Sequence, residues 1–130
     1  MNIRTMSISD YDAVYALWLS CKGMGLNDLD DSREGIDRYL RRNPSTSFVC
    51  EADGRIAGVI MAGHDGRRGF IHHTAVLPEY RGRGYGKGLL KQLAKTAVSE
   101  GCGRLEWMCL DWNQPSIDFY LSLNARPMED

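Results

Sequence analysis

The sequence predicts an α/β fold: a mixed sheet in which an antiparallel meander leads into a parallel βαβ crossover. Three observations predict it. Between Ser47 and Leu77, apolar strand-like runs are separated only by Asp53-Gly54 and by Asp65-Gly66-Arg67-Arg68. From Lys87 to Glu100, Leu89, Leu90, Leu93, Ala94, Ala97 and Val98 recur at helical spacing. A further apolar run, Arg104 to Leu110, follows that helix, and a strand–helix–strand connection of this length closes as a right-handed parallel crossover. The 130 residues, 43% hydrophobic and 25% charged, describe a single domain over residues 1–130 with its own core.

The elements follow in order β-α-α-β-β-β-α-β-α. Met1 to Met6 is the first strand. Ser9 or Asp10 caps a helix, because either side chain can accept free first-turn N–H groups. Val14, Leu17, Trp18 and Cys21 form its apolar stripe, which fades at Gly23 to Gly25. After an acidic stretch, Asp31 with Glu34 has the form of a capping box for a second helix carrying Ile36, Tyr39 and Leu40. Asn43-Pro44 ends it, since proline disfavours helical geometry in the residue before it. Ser47 to Ala52, Arg55 to Gly63 and Gly69 to Leu77 are the meander strands. Asp53-Gly54 suits a type I′ hairpin turn, which needs positive φ at both central residues. Pro78 ends the third strand, and Gly101 stops the long helix. Asn113-Gln114-Pro115 opens a last helix with Ile117, Tyr120 and Leu121 on one face.

Composition narrows the function. Sixteen Lys and Arg against 17 Asp and Glu give a formal charge of −1, which argues against a broad polyanion-binding surface and a nucleic-acid partner. No run reaches the ~18 apolar residues of a membrane-spanning helix, and Met1 to Asp12 lacks the pattern of a secretory signal. Cys21, Cys50, Cys102 and Cys109 form no tight pair, and no histidine stands at zinc spacing. They read as buried thiols of a reducing compartment, and no metal site is expected.

The chemistry concentrates in Arg81-Gly82-Arg83-Gly84-Tyr85-Gly86, between a strand and a helix. Glycines let the backbone turn sharply and approach a ligand closely. The helix that follows offers free N–H groups and partial positive charge, and Arg81, Arg83 and Lys87 add cations, so the segment suits a phosphate or pyrophosphate. The dinucleotide fingerprint fails, because the residue five positions after Gly82, Gly84 or Gly86 is Lys87, Leu89 or Lys91. The P-loop fails as well, because Arg81 and Gly88 stand where it needs glycine and Ser or Thr.

Val76-Leu77-Pro78-Glu79-Tyr80-Arg81-Gly82-Arg83-Gly84-Tyr85-Gly86 resembles the acetyl-CoA signature of the GCN5-related N-acetyltransferases (GNAT). Their core R/Q-x-x-G-x-G/A is here Arg81-x-x-Gly84-x-Gly86, behind a strand ending V-x-P. With the element order, the resemblance extends over essentially the whole chain. It implies a GNAT-like sheet and an acetyl-CoA-dependent N-acetyltransferase that releases CoA, acting on a small-molecule or peptide amine by direct attack in a ternary complex. The alternative is an acetyl-CoA-binding module with negligible turnover. By the resemblance, Arg81, Gly82, Arg83, Gly84, Tyr85, Gly86 and Lys87 hold the pyrophosphate. The backbone of Ala75, Val76 and Leu77 binds the pantetheine arm and acetyl carbonyl, and Asn113 touches the cofactor. Tyr120 protonates the leaving thiolate. For the general base the family position is His72, with His73 next and Glu51 and Glu106 as weaker candidates. Strand alternation sends His72 and His73 to opposite faces.

Three further expectations follow. The tail from Asp111 to Met128 resembles diamine (spermidine/spermine) acetyltransferases, whereas Gly63-His64-Asp65-Gly66-Arg67-Arg68-Gly69 resembles small bacterial acetyltransferases, as in a hybrid. Only Arg126 to Asp130 follow the last helix, so the family's final strand is missing or very short, and the open edge favours a homodimer. Asp28, Asp30, Asp31 and Glu34 border the acceptor region, as an acidic patch for a cationic amine or as helix-capping acids on a solvated loop.

Overall fold

A computed structural model describes residues 2–21, 26, 29–102 and 104–107. The elements are β1 (Asn2–Thr5), α1 (Tyr11–Leu19), α2 (Arg33–Arg42), β2 (Phe48–Ala52), β3 (Arg55–His64), β4 (Arg68–Val76), α3 (Tyr85–Ser99) and β5 (Arg104–Trp107). Among the described residues the strands form a five-stranded sheet in sequence order. β1 to β4 are antiparallel, and β5 lies parallel to β4, Arg68–Ile71 beside Arg104–Trp107. The meander therefore gains a strand over the expected three, because β1 pairs with β2 with Ile3 opposite Cys50. The β2–β3 turn has φ of 54° at Asp53 and 76° at Gly54, the type I′ geometry its sequence predicts.

Helices cover both faces of this sheet. A Cβ on Gly58 would stand 3.1 Å from Leu89 of α3, so that position faces α3. Met61, three residues along β3, pairs with His73, whose ring packs on Trp18 of α1. An odd step along a strand changes face. Trp18, Val14, Ile36, Leu89 and Leu93 are fully buried against Val49, Val59 and Ile60 of the sheet. At about 2–3 kcal/mol for each large apolar side chain removed from water, this two-sided core drives the fold. Cys50 and Cys102 are buried and unbridged, and Cys21 is half-buried.

Asp10 stands at the cap position of α1, as expected, but the capping bonds at both helix starts differ from their sequence-based assignments. Ahead of α1, a short 3₁₀ turn spans Ile8–Asp10. Asp10 accepts the Ser7 N–H at 2.9 Å and makes no side-chain bond to α1 itself. Arg4 of β1 grips the same carboxylate with two bonds of 2.8 Å and also bonds Glu51 of β2. That guanidinium holds the Asp10 carboxyl below the usual carboxylate range. At α2 the cap is Ser32, whose Oγ accepts from the Gly35 N–H at 3.1 Å, and the expected cap, Asp31, is buried and turned toward β4.

Gly35 has a packing reason. A Cβ there would lie 2.5 Å from the Asp30 carbonyl oxygen and 2.7 Å from that of Leu29. These are backbone atoms and cannot swing aside. Gly35→Ala is therefore expected to destabilise the fold by about 1–3 kcal/mol through overpacking, although an exposed helix interior would gain about 1 kcal/mol from the same change. Urea denaturation of the variant measures it.

The expectations for a last helix, a missing final strand and the dimer edge rest on residues 108–130, which lie outside the described residues. Among the described residues no helix is long and apolar enough to cross a membrane, and no cluster of metal-ligating side chains is present.

Candidate active site

The glycine loop is built on Tyr80. A 3₁₀ turn, Pro78–Tyr80, buries that ring, and its hydroxyl donates to Asp53 Oδ2 at 2.7 Å, tying the loop to the β2–β3 turn. Arg83 lies over one region of the ring at 5.4 Å, and Tyr85 meets it edge-on at 5.6 Å. The chain then turns through Gly82 at φ 77° and Gly84 at φ 86°, conformations that a side chain disfavours.

Helix α3 begins at Tyr85, two residues earlier than its apolar stripe indicates, so Tyr85, Gly86 and Lys87 are its first turn. First-turn N–H groups have no intrahelical acceptor. Gly84, at the cap position, supplies no side chain to satisfy them. Cβ atoms added at Gly82 or Gly84 would meet nothing within 4 Å. The glycines are thus required by backbone conformation, and the space outside them is open. Arg81, Arg83 and Lys87 are exposed around it. Uncapped amides, a helix dipole and three cations form a donor set that fits a pyrophosphate.

The end of β4 adjoins the loop. Ala75 and Leu77 are buried, and Val76 is half-buried. The Leu77 N–H donates to the Ala57 carbonyl at 2.8 Å. In an antiparallel ladder the next residue points its N–H and C=O the other way, so Val76 presents both on the side away from β3. Its carbonyl accepts from Arg81 Nε at 3.1 Å, and Arg81 Nη2 reaches Cys21 Sγ at 3.3 Å.

The histidines depart from the alternation expected of a strand. Met61 pairs with His73 and Ala62 with Ile71, which leaves His72 as an extra residue in a β-bulge. The bulge resets the alternation, and both rings face the side of α1 and α2. The His72 ring meets Tyr39 of α2 edge-on at 5.3 Å and Phe70 at 4.9 Å. The His73 ring packs on Trp18 at 4.7 Å, and its Nε2 bonds Asp31 Oδ1 at 2.7 Å. His72 is solvent-exposed at its rim, yet packing around the ring, and then the neighbouring His73, hold its pKa below the ordinary histidine value. Burial pushes the Tyr39 hydroxyl above the usual tyrosine range. Trp18 Nε1, Tyr39 Oη and His73 Nδ1 are buried with no hydrogen-bond partner among the described residues.

The other candidates separate. Glu51 is engaged by Arg4, and Glu106 by Arg104 at 2.9 Å. Asn113, Tyr120 and Cys109 lie outside the described residues. Of the acidic residues, Asp28 lies outside the described residues, and Asp31 faces no solvent patch, being 4% exposed and spent on His73. Sequence reasoning gave Tyr39 to the core, Cys21 to a helix stripe and Asp31 to a cap, and it gave Tyr80 no role. The spacing x-P-x-Y ahead of Arg81 is the one signal that could have singled out Tyr80.

Comparison with known proteins places this geometry. The sequence model of the Acetyltransferase (GNAT) family matches residues 11–124. An acetyltransferase of Yersinia enterocolitica is 35% identical over 124 residues, covering 95% of this chain and 86% of that protein. One from Pectobacterium atrosepticum is 34% identical over 129 residues, covering 99% and 90%. Among solved structures, the PaiA N-acetyltransferase of Thermoplasma acidophilum in complex with coenzyme A superposes with a TM-score of 0.85 at 20% identity, over 99% of this chain and 91% of that one. The aminoglycoside acetyltransferase AAC(6′)-Iy, in complex with a bisubstrate analogue, superposes with a TM-score of 0.79 at 22% identity, over 99% and 92%. These last two likenesses are of fold.

Proposed function

The chain belongs to the Acetyltransferase (GNAT) family, and we propose that it transfers the acetyl group of acetyl-CoA to a primary amine by direct attack in a ternary complex. The observation that carries the reading is the uncapped start of α3 behind Gly82 and Gly84, both at positive φ and both open to solvent.

In this reading the amides from Arg81 to Lys87 receive the pyrophosphate, with Arg81, Arg83 and Lys87 neutralising its charge. Ala75, Val76 and Leu77 line the pantetheine arm along β4, with Asn113 from beyond β5. Acetyl-CoA, when bound, supplies the activated thioester carbonyl. The Val76 N–H, directed away from β3, is the donor for the oxygen that gains charge during attack. An ammonium must lose a proton before it attacks. His72 accepts that proton, and its lowered pKa leaves the ring unprotonated and able to do so at neutral pH. Tyr120 returns a proton to the departing thiolate. The acceptor is a small-molecule or peptide amine that reaches β4 from the side of α1 and α2.

The test is free-thiol release from acetyl-CoA against a panel of polyamines, amino acids, aminoglycosides and N-terminal peptides, with calorimetric titration of acetyl-CoA on the same sample. Amine-dependent release above the no-amine control is expected. Binding without release for any amine would leave a cofactor-binding module, and failure to bind would overturn the reading of the glycine loop.

A further inference from the structure

The bulge at His72 brings together groups that a regular strand would keep on opposite faces. We infer that Asp31 and His73 are a positioning pair for His72: lying behind it on the same side of β4, they fix its orientation and set the charge that it faces. The inference rests on the reading of His72 as the proton acceptor.

The geometry carries it in three steps. A carboxylate only accepts hydrogen bonds, so the 2.7 Å contact with Asp31 Oδ1 assigns a proton to His73 Nε2 and locks the ring against flipping. Asp31 is buried and His73 half-buried, with side-chain exposures of 4% and 12%. A carboxylate taken so far from water is costly unless it is held by a specific partner. It is also not needed as a cap, since Ser32 fills that place.

The second step is mechanical. Asp31 immediately precedes Ser32, the cap of α2, and Tyr39 lies on that same helix. The unit thus grips the bulge twice, Asp31 on His73 and the Tyr39 ring in a T-shaped contact with His72. Tyr11 of α1 fastens the segment from the other side, its hydroxyl donating to the Asp31 carbonyl at 2.6 Å.

The third step is electrostatic. The groups acting on His72 from the described elements are His73 on its own strand, Asp30 and Asp31 from the segment before α2, and the neutral Tyr39 hydroxyl on α2. His73 opposes protonation of His72, and the two aspartates favour it. Removing either member of the pair should therefore move the titration of His72 in opposite directions. A purely structural role predicts no such opposition.

The experiment is an NMR titration of the His72 imidazole in the wild type, His73→Gln and Asp31→Asn, with kcat/KM against pH on the same proteins. The His72 midpoint is expected to rise by a few tenths of a pH unit in His73→Gln and to fall by a similar amount in Asp31→Asn. Asp31→Glu, which keeps the charge, is expected to return it toward the wild-type value. The acid limb of kcat/KM should follow each shift. If Asp31→Asn does not fold, the rise expected in His73→Gln still tests the pair. An unchanged midpoint in folded His73→Gln or Asp31→Asn, or shifts of the same sign in the two, would overturn the pair. Midpoints that move as expected while the acid limb stays fixed would uphold the pair and instead overturn His72 as the proton acceptor.

Discussion

Gly84→Val is expected to weaken acetyl-CoA binding by at least about 100-fold. Gly84 sits at φ 86° and ψ 6°, at the cap position of α3. A residue with a Cβ pays roughly 1–2 kcal/mol in the left-handed region, and a β-branched residue is a genuine outlier there. No collision is involved, because a Cβ at this position would have nothing within 4 Å. The strain is relieved instead by returning the backbone to negative φ, which re-aims the peptide units that follow. Two misdirected amide bonds to a charged pyrophosphate, at about 1.5–3 kcal/mol each, account for the loss. The first turn of α3 is already without caps, so the folded state should lose little beyond the local strain. Calorimetry reads the affinity. The shift in melting temperature on adding acetyl-CoA, large for the wild type and nearly absent for the variant, reads it independently. A variant that binds as tightly as the wild type would show that the loop backbone is not the phosphate cradle.

The parts of this site legible in the sequence are those that local periodicity and glycine chemistry encode. The apolar runs of β2 to β4, the Asp53-Gly54 turn and the helical stripe of α3 each declare themselves within about ten residues. The motif from Val76 to Gly86 does so as well. What escaped reading depends on partners distant in sequence. Residues 68–76 look like an unbroken strand, and nothing local in them announces that Met61 and Ala62 pair with His73 and Ile71 and leave His72 over. Asp31 and Ser32 are both good cap residues. The choice between them is settled by His73, 42 residues away, which takes the carboxylate and leaves the cap to the hydroxyl. The apolar stripe points to a later start of α3, because Tyr85 and Gly86 are weak helix formers that carry none of it. The first turn, however, asks only for helical dihedrals and not for apolar packing, so its true start is set by Gly84. The bulge and the buried aspartate converge on His72, which ties the hardest features to read to the residue on which the chemistry is proposed to turn.

His72→Gln should separate chemistry from binding. Glutamine keeps much of the volume and the hydrogen bonding of the ring but cannot take a proton from an ammonium. General-base catalysis typically contributes about 10²–10⁴-fold, so kcat is expected to fall by roughly 10²–10³-fold. The dissociation constant for acetyl-CoA should stay within about twofold, because the cradle at Gly82 and Gly84 belongs to a different part of the chain. The pH profile supplies the sign. Desolvation and the neighbouring His73 lower the folded pKa of His72, so in the wild type the base remains available until the pH drops below the ordinary histidine value near 6.5. The wild-type rate should therefore rise with pH through that lowered value and then level off. In His72→Gln that limb should vanish, leaving a rate that keeps climbing with the fraction of amine already deprotonated in solution. A variant that retains both the wild-type kcat and its acid limb would move the proton to another acceptor and leave the glycine cradle untouched.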